Sequence, residues 1–192
     1  MRKLFAILLV PALAGCLSPI KTPTVAEWSV GLDTLANRVE TPKYGVTRLS
    51  QVLVRAPYDT RNMVVLRSDS SYAFDPYNHF AAVPSQLLKG VVEDSLASSG
   101  LFKTVVPSAS AASASHLVEV TVTDLRLDCS ASTAEEASQV AEVGLSLLVL
   151  DRAREIVGKS RGSGRAQVAD GDFGSAFSKA LAKAVDAAVE TL

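Results

Sequence analysis

One segment near the middle of the chain constrains the fold most strongly. Within His116–Leu127 an apolar residue alternates with a polar one, in the series Val118, Glu119, Val120, Thr121, Val122, Thr123. Successive side chains of a strand point to opposite faces of the sheet. The pattern therefore predicts a strand with one face in a core and the other in water.

Further apolar runs predict the neighbours of this strand. Runs bounded by Pro, Gly, Asp or Ser residues predict strands over 27–32, 46–55, 63–67, 72–74, 101–106, 140–150 and 155–162. The segments 63–67 and 72–74 are separated by a turn and predict a hairpin. Residues 108–115 contain only Ser and Ala and are interpreted as a surface loop.

Two segments carry helical periodicity. Pro84 suits the first position of a helix, and Gly100 stands where a left-handed C-terminal cap is expected. Between them the apolar residues recur at helical spacing: Leu87, Leu88, Val91, Val92 and Leu96. Asp172 is the predicted N-cap of the last helix. The apolar stripe of that helix comprises Phe173, Ala176, Phe177, Ala180, Leu181, Ala184, Val185, Ala188 and Val189.

The order of these elements predicts an α+β fold. We expect an antiparallel sheet of about five strands with two amphipathic helices packed on one face. Residues 26–192 then form a single domain. The other sheet face, bearing Glu119, Thr121 and Thr123, is left open to water or to a partner.

The N-terminal segment has the composition of an export signal. Arg2 and Lys3 precede an apolar run that is too short to span a bilayer, and small residues then lead to Cys16. The segment Leu13-Ala14-Gly15-Cys16 resembles the lipobox of bacterial lipoproteins. That resemblance implies removal of residues 1–15 as a signal peptide and acylation of the Cys16 thiol and of its new amino group. The alternative is an ordinary secreted protein with a chance cysteine near its cleavage site.

The anchor has consequences for location. Residues 16–25 have the composition of a tether, and about ten residues at roughly 3.3 Å each reach about 30 Å from the lipid at most. An aspartate after the cysteine commonly signals inner-membrane retention, whereas Leu17 and Ser18 resemble the outer-membrane default. We therefore expect a domain anchored to the outer membrane and facing the periplasm.

Charge excludes one class of partner. The formal net charge is −1, and it becomes −3 when Arg2 and Lys3 are removed from the 19 basic residues against 20 acidic ones. This balance offers no electrostatic footprint for nucleic acid. Cysteine usage adds one question. With Cys16 acylated, Cys129 has no partner within the chain, and it is either a buried small apolar residue or an intermolecular link.

No catalytic motif is found in the sequence. His79 and His116 lie apart from any Cys or acidic pair at metal-ligand spacing, so no metal site or cofactor is expected. Gly158-Lys159-Ser160 lacks the upstream glycine of a phosphate-binding loop. Glu135-Glu136 is more typical of a solvated loop than of an acid–base pair. We therefore expect a protein that is not an enzyme.

One region resembles a known family. The segments Val52–Asp59, Met63–Arg67 and Tyr72–Pro84, followed by Ser99-Gly100-Leu101-Phe102-Lys103-Thr104-Val105, are similar to the ABC-type transport auxiliary lipoproteins, which include the Pqi-type outer-membrane lipoproteins. Phe80 stands where that family usually has Trp. The resemblance extends over residues 26–192 in element order and is specific over 52–106.

The resemblance implies an auxiliary function in transport. It indicates a docking subunit of an ABC-type intermembrane lipid transport system, with an MCE-domain periplasmic protein and its ABC permease and ATPase as partners. The alternative is a cell-envelope assembly lipoprotein that supports another export or secretion apparatus. A homo-oligomer is compatible with such a bridge, but the sequence does not show one.

An aromatic segment is the candidate partner-binding site. Exposed Tyr and Phe residues are typical interface anchors, and Tyr72, Phe74, Tyr77 and Phe80 fall within nine residues. The alternative is that Phe74 and Phe80 plug the end of the core.

Overall fold

The computed structural model describes residues 24–131 and 138–192, which form one mixed sheet and two helices. The predicted signal peptide, Cys16 and the Glu135-Glu136 pair lie outside the described residues. The elements are β1 (Ala26–Trp28), β2 (Tyr44–Val54), β3 (Asn62–Leu66), β4 (Tyr72–Phe80), α1 (Pro84–Ser98), β5 (Phe102–Val106), β6 (His116–Asp128), β7 (Val140–Leu150), β8 (Ile156–Gln167) and α2 (Phe173–Glu190).

Strand β6 is the central strand of the sheet, and other strands pair with both of its edges. Strands β2 and β3 pair with the same edge of β6, one after the other and both in parallel, so that Leu49 lies beside Val118 and Val64 beside Arg126. Strands β7 and β8 extend the sheet from the other edge in antiparallel order. Strand β5 continues the sheet beyond β2, while β4 and then β1 continue it beyond β3.

The sequence prediction of about five antiparallel strands was wrong in two respects. The described residues form eight strands, and the pairs β1–β4, β2–β5, β2–β6 and β3–β6 are parallel. Parallel pairs join strands that are distant in sequence through crossovers, and strand periodicity carries no information on such pairings. The α+β class and the β3–β4 hairpin are confirmed.

Both helices begin where the sequence predicted. Pro84 occupies the first turn of α1, and Gly100 follows this helix at φ 75°, a left-handed conformation that glycine adopts without strain. The Asp172 carboxylate accepts a hydrogen bond from the backbone N–H of Ser175 at 2.9 Å. This bond satisfies one of the free donors at the start of α2.

The core lies between the helices and one face of the sheet. Val118, Val120 and Val122 are fully buried there, as are the facing residues of β7. Helix α2 lies against β8 so closely that a Cβ atom added to Gly162 would meet the carbonyl oxygen of Ala184 at 1.9 Å. Strand β8 runs five residues beyond the predicted end at Gly162, and its glycines admit the helix backbone.

A bulge in β6 sets which residues reach the uncovered face. The register to β7 shifts between Val122 and Asp124, and a bulge of this kind reverses the alternation of side chains. As a result Leu125 and Leu127 return to the core, while Arg126 and Asp128 join Glu119 and Thr121 on the uncovered face.

Candidate functional site

A network centred on Arg126 lies on the uncovered face of the sheet, where β3, β6 and β7 meet. The Arg126 guanidinium donates to Asp124 Oδ1 at 2.9 Å and to Glu142 Oε2 at 3.1 Å. It also donates to the hydroxyls of Tyr58 at 3.3 Å and of Tyr72 at 3.2 Å. The Arg126 side chain is only 17% exposed, so these partners replace most of its hydration. We call these five residues the Arg126 network.

A second arginine extends the charges of this region. Arg165 on β8 pairs with Asp128, and its guanidinium lies 3.8 Å from Glu142 Oε2. Glu142 therefore lies within ion-pairing distance of both Arg126 and Arg165. The region holds two cations and three carboxylates, since Asp124, Glu142 and Asp128 face Arg126 and Arg165.

The surroundings of Tyr58, Arg126 and Asp128 shift the pKa values of these three groups. Burial, assisted by the hydrogen bond to Tyr72, raises the pKa of Tyr58 to about 12. Burial alone would lower the pKa of Arg126, but the hydrogen bond with Tyr58 and the charge of Glu142 outweigh it and raise the pKa. Hydrogen bonding from Ser130 and the charge of Arg165 lower the pKa of Asp128. Tyr58, Arg126 and Asp128 therefore hold constant charge near pH 7, which suits positioning rather than proton transfer.

The network joins segments that are distant in sequence. Tyr58 belongs to the connection between β2 and β3, and Tyr72 is the first residue of β4. Both hydroxyls accept hydrogen bonds from Arg126 of β6. These bonds link the β2–β3 connection and the start of β4 to the central strand. The network sets the position of the aromatic residues that follow Tyr72.

The four predicted partner-binding residues divide between surface and core. Tyr72, Phe74 and Tyr77 are 52%, 57% and 47% exposed, and we call these three residues the aromatic strand surface. Phe80 is 1% exposed, and its ring packs edge-on against Phe177 at 5.2 Å between centroids. The core alternative therefore holds for Phe80, which is not available to a partner, and it fails for Phe74.

A second exposed surface lies at the opposite end of the sheet. Ile156 and Val157 at the start of β8 are 62% and 45% exposed. Four exposed cations accompany them, namely Arg152, Arg154, Lys159 and Arg161, together with the exposed Glu155. In the described part of the chain β8 pairs only with β7, so its outer edge is free. We call these seven residues the hairpin surface.

The remaining chemical candidates have ordinary surroundings. His79 Nε2 lies 3.1 Å from the Asn62 side-chain amide, and His116 Nδ1 lies 3.0 Å from Ser115 Oγ. Across residues 24–131 and 138–192, no three His, Cys, Asp or Glu side chains lie close enough together to hold a metal ion. Cys129 is a half-buried free thiol whose pKa is raised by burial. It packs against the edge of the core.

The described helices do not reach the dimensions of a membrane span. Of α1 and α2, neither is both long enough and apolar enough to cross a bilayer.

Comparison with known proteins identifies similar folds. No family model matches the chain, and no curated protein matches it. A crystal structure of a Xanthomonas campestris protein of the DUF330 family is 13% identical, with a TM-score of 0.59 over 85% of this chain and 88% of that one. An uncharacterized protein is 16% identical, with a TM-score of 0.59 over 85% and 92% of the two chains. At these identities the likeness shows a shared fold.

A weaker similarity is found to a lipoprotein from Neisseria meningitidis. It is 10% identical, with a TM-score of 0.36 over 65% of this chain and 83% of that one.

Proposed function

We propose that this chain is a periplasmic lipoprotein, anchored to the outer membrane through Cys16, that acts as the auxiliary docking subunit of an ABC-type intermembrane lipid transport system. In this proposal its partner is an MCE-domain protein that reaches across the periplasm from the permease and ATPase. The domain binds this partner and performs no chemistry of its own.

The observation that carries the proposal is where the family resemblance falls in the fold. The resembling segments of residues 52–106 build the end of β2, β3, β4, α1 and β5. They supply Tyr58 and Tyr72 to the Arg126 network. The part of the sequence that is similar to transport auxiliary lipoproteins is thus the part that frames the uncovered sheet face.

The uncovered face is suited to binding a protein. Both helices pack on the opposite face, and the carboxylates and arginines of the uncovered face are fixed by one another. Fixed charges of both signs favour register and specificity in a protein interface. The hairpin surface adds exposed aliphatic side chains beside four cations, and apolar centres with charged surroundings are typical of interfaces.

Co-purification tests the proposal. The tagged full chain would be recovered from crosslinked, detergent-solubilised envelopes, and the retained proteins would be identified by mass spectrometry. We expect an MCE-domain protein together with its permease and ATPase. Charge reversal of the hairpin surface, Lys159→Glu with Arg161→Glu, should reduce their recovery at least about tenfold, since like charges across an interface are strongly unfavourable.

Lys179→Glu is the matched control. Lys179 is an exposed cation on α2, on the helical side of the domain, and its reversal should leave recovery unchanged. Recovery of a secretion or export apparatus in place of the transporter would support the envelope-assembly alternative. Recovery of neither would overturn the proposal.

A further inference from the structure

The described exposed apolar side chains concentrate where the chain enters the sheet. Eight large apolar side chains are exposed among the described residues, and four of them, Val25, Tyr72, Phe74 and Tyr77, lie on or beside β4 and the start of β1. Three of these four are aromatic. A concentration of exposed apolar side chains at one place on a protein surface marks a site of contact with a membrane or with another protein.

The strand register defines the direction from which the chain arrives. Strand β1 runs parallel to β4, with Ala26 beside Asn78 and Trp28 beside Phe80. The residues just before Ala26 therefore lie beside the residues of β4 that precede Asn78. The aromatic strand surface is formed by this part of β4. The opposite end of the sheet faces away from this point of entry.

The length of chain before the described residues limits the distance to the lipid. Eight Cα–Cα steps separate Cys16 from Thr24, the first described residue, and at roughly 3.6 Å each they reach at most about 29 Å. The hairpin surface lies at the opposite end of the sheet from the point where the chain enters it. Phe74 pairs with Val64, which in turn pairs with Arg126 of β6. At the other end of the sheet, Ile156 pairs with Leu150, which in turn pairs with Leu117 of β6. The nine Cα–Cα steps from Leu117 to Arg126 span about 30 Å along β6.

The charged groups at this end of the sheet are held by local hydrogen bonds and ion pairs. The Asp75 carboxylate accepts hydrogen bonds from the backbone N–H groups of Tyr77 at 2.8 Å and Asn78 at 3.0 Å. Arg61 pairs with Glu27. The Arg126 network and the Arg165–Asp128 pair lie at the same end, so the large exposed apolar side chains there stand beside charges that are already paired. Tyrosine has an apolar ring and a polar hydroxyl, which is the combination that is enriched at membrane–water interfaces.

We propose that the aromatic strand surface of Tyr72, Phe74 and Tyr77 lies against the lipid surface to which Cys16 is anchored, and that the hairpin surface points away from it. The proposal rests on the lipid anchor of the proposed function. It assigns to lipid the contact that the sequence alone assigned to a protein partner, and it leaves the distal end of the domain for that partner.

Tryptophan fluorescence tests this orientation in the full, lipidated chain. Trp28 is the single tryptophan, so a Trp28→Phe background is silent. Phe74→Trp and Ile156→Trp each place one indole at an exposed apolar position, at opposite ends of the sheet. Each protein is reconstituted alone in phosphatidylcholine vesicles, with and without brominated phosphatidylcholine. We expect brominated lipid to reduce the Phe74→Trp fluorescence about twofold, as for an indole at the interface. The Ile156→Trp fluorescence should be unchanged.

Several controls make each outcome decisive. Circular dichroism verifies the fold of each variant, and Tyr77→Trp provides a second reporter at the membrane end. Equal quenching at positions 74 and 156, or no quenching at position 74 or 77 in vesicles that carry the protein, would overturn the orientation, and a protein partner would become the occupant of the aromatic strand surface. Failure of the protein to float with vesicles would remove the anchor and the orientation together. Quenching at position 74 combined with failure to recover a transporter would overturn the transport function alone.

Discussion

At the scale of single residues, Arg126 has a large expected effect on stability for a surface charge. Its guanidinium binds Asp124 and Glu142 at a position only 17% exposed. Arg126→Met should lower the free energy of unfolding by about 2–3 kcal/mol, because both carboxylates lose a partner that water only partly replaces. Urea denaturation of the full chain in detergent measures this loss. Glu27→Gln removes the charge of an exposed pair with Arg61 and should cost less than about 1 kcal/mol. Equal losses in the two variants would show that the Arg126 network is an ordinary surface cluster.

Tyr58 gives the network a signature at alkaline pH. Burial raises the pKa of this tyrosine to about 12, whereas an exposed tyrosine ionises near pH 10. The folded protein holds the phenol proton more tightly than the unfolded chain, so this contribution to stability is complete below pH 10 and is lost as the pH rises through about 12. The chain has four tyrosines, and ultraviolet titration should show a late phase to which Tyr58 contributes. Tyr58→Phe should reduce that late phase and Tyr77→Phe should retain it; an undiminished phase without Tyr58 would contradict its assignment.

The sequence identified the aromatic segment but not its division between surface and core. Phe74 and Phe80 are the same residue type, six positions apart in β4, and only the register of β4 with β3 and β1 separates them. The Arg126 network was also missed. A sign of it was present in the sequence, since the apolar series Val118, Val120, Val122 resumes at Leu125 and Leu127, one residue out of phase. Such a phase shift is typical of a bulge, and it transfers Arg126 to the uncovered face.

At the scale of elements, the contact between α2 and β8 depends on glycine. A Cβ atom at Gly162 would lie 1.9 Å from Ala184 O, and one at Gly164 would lie 2.0 Å from Ala180 O. Both obstacles are backbone atoms, so Gly162→Ala or Gly164→Ala must move the helix away from the sheet. We expect a loss of about 2–3 kcal/mol for either variant, measured from the urea midpoint.

The same substitution elsewhere provides a control of opposite sign. Gly90 lies in the exposed side of α1, with no atom within 4 Å of an added Cβ. Gly90→Ala should stabilise the protein by about 0.5–1 kcal/mol, because alanine loses less backbone entropy in a helix. If Gly162→Ala were as well tolerated as Gly90→Ala, the close approach of α2 would not be a constraint.

Local patterns predicted the elements better than their arrangement. Asp172 and the stripe from Phe173 to Val189 identified α2 and its cap, since both depend on residues close in sequence. The sequence prediction ended β8 too early, at Gly162, because glycine disfavours strands. In the structure Gly162 and Gly164 are required by the close approach of α2, which comes later in the chain. The parallel pairing of β2 and β3 along one edge of β6 depends on contacts more than 60 residues apart, which no local pattern reports.

At the scale of the whole molecule, the predicted anchor and the folded domain are separate parts. Strand β1 starts at Ala26. Among the described residues, the buried apolar side chains run from Val30 to Val189. We predict that the free energy of folding is independent of the lipid, since these residues pack against one another to form the described core.

Export without acylation tests this separation. The chain from Leu17 onward, placed behind the signal peptide of an ordinary secreted protein, should reach the periplasm unacylated and unfold at a Tm within about 2 °C of the lipidated protein, since 1 kcal/mol corresponds to a few degrees in a domain of this size. It should no longer float with vesicles, because no acyl chain remains to bind the bilayer. A Tm lower by about 10 °C would show that the anchored segment contributes to the fold. Flotation that persists without Cys16 would place membrane binding in the domain itself, where Tyr72, Phe74 and Tyr77 are exposed.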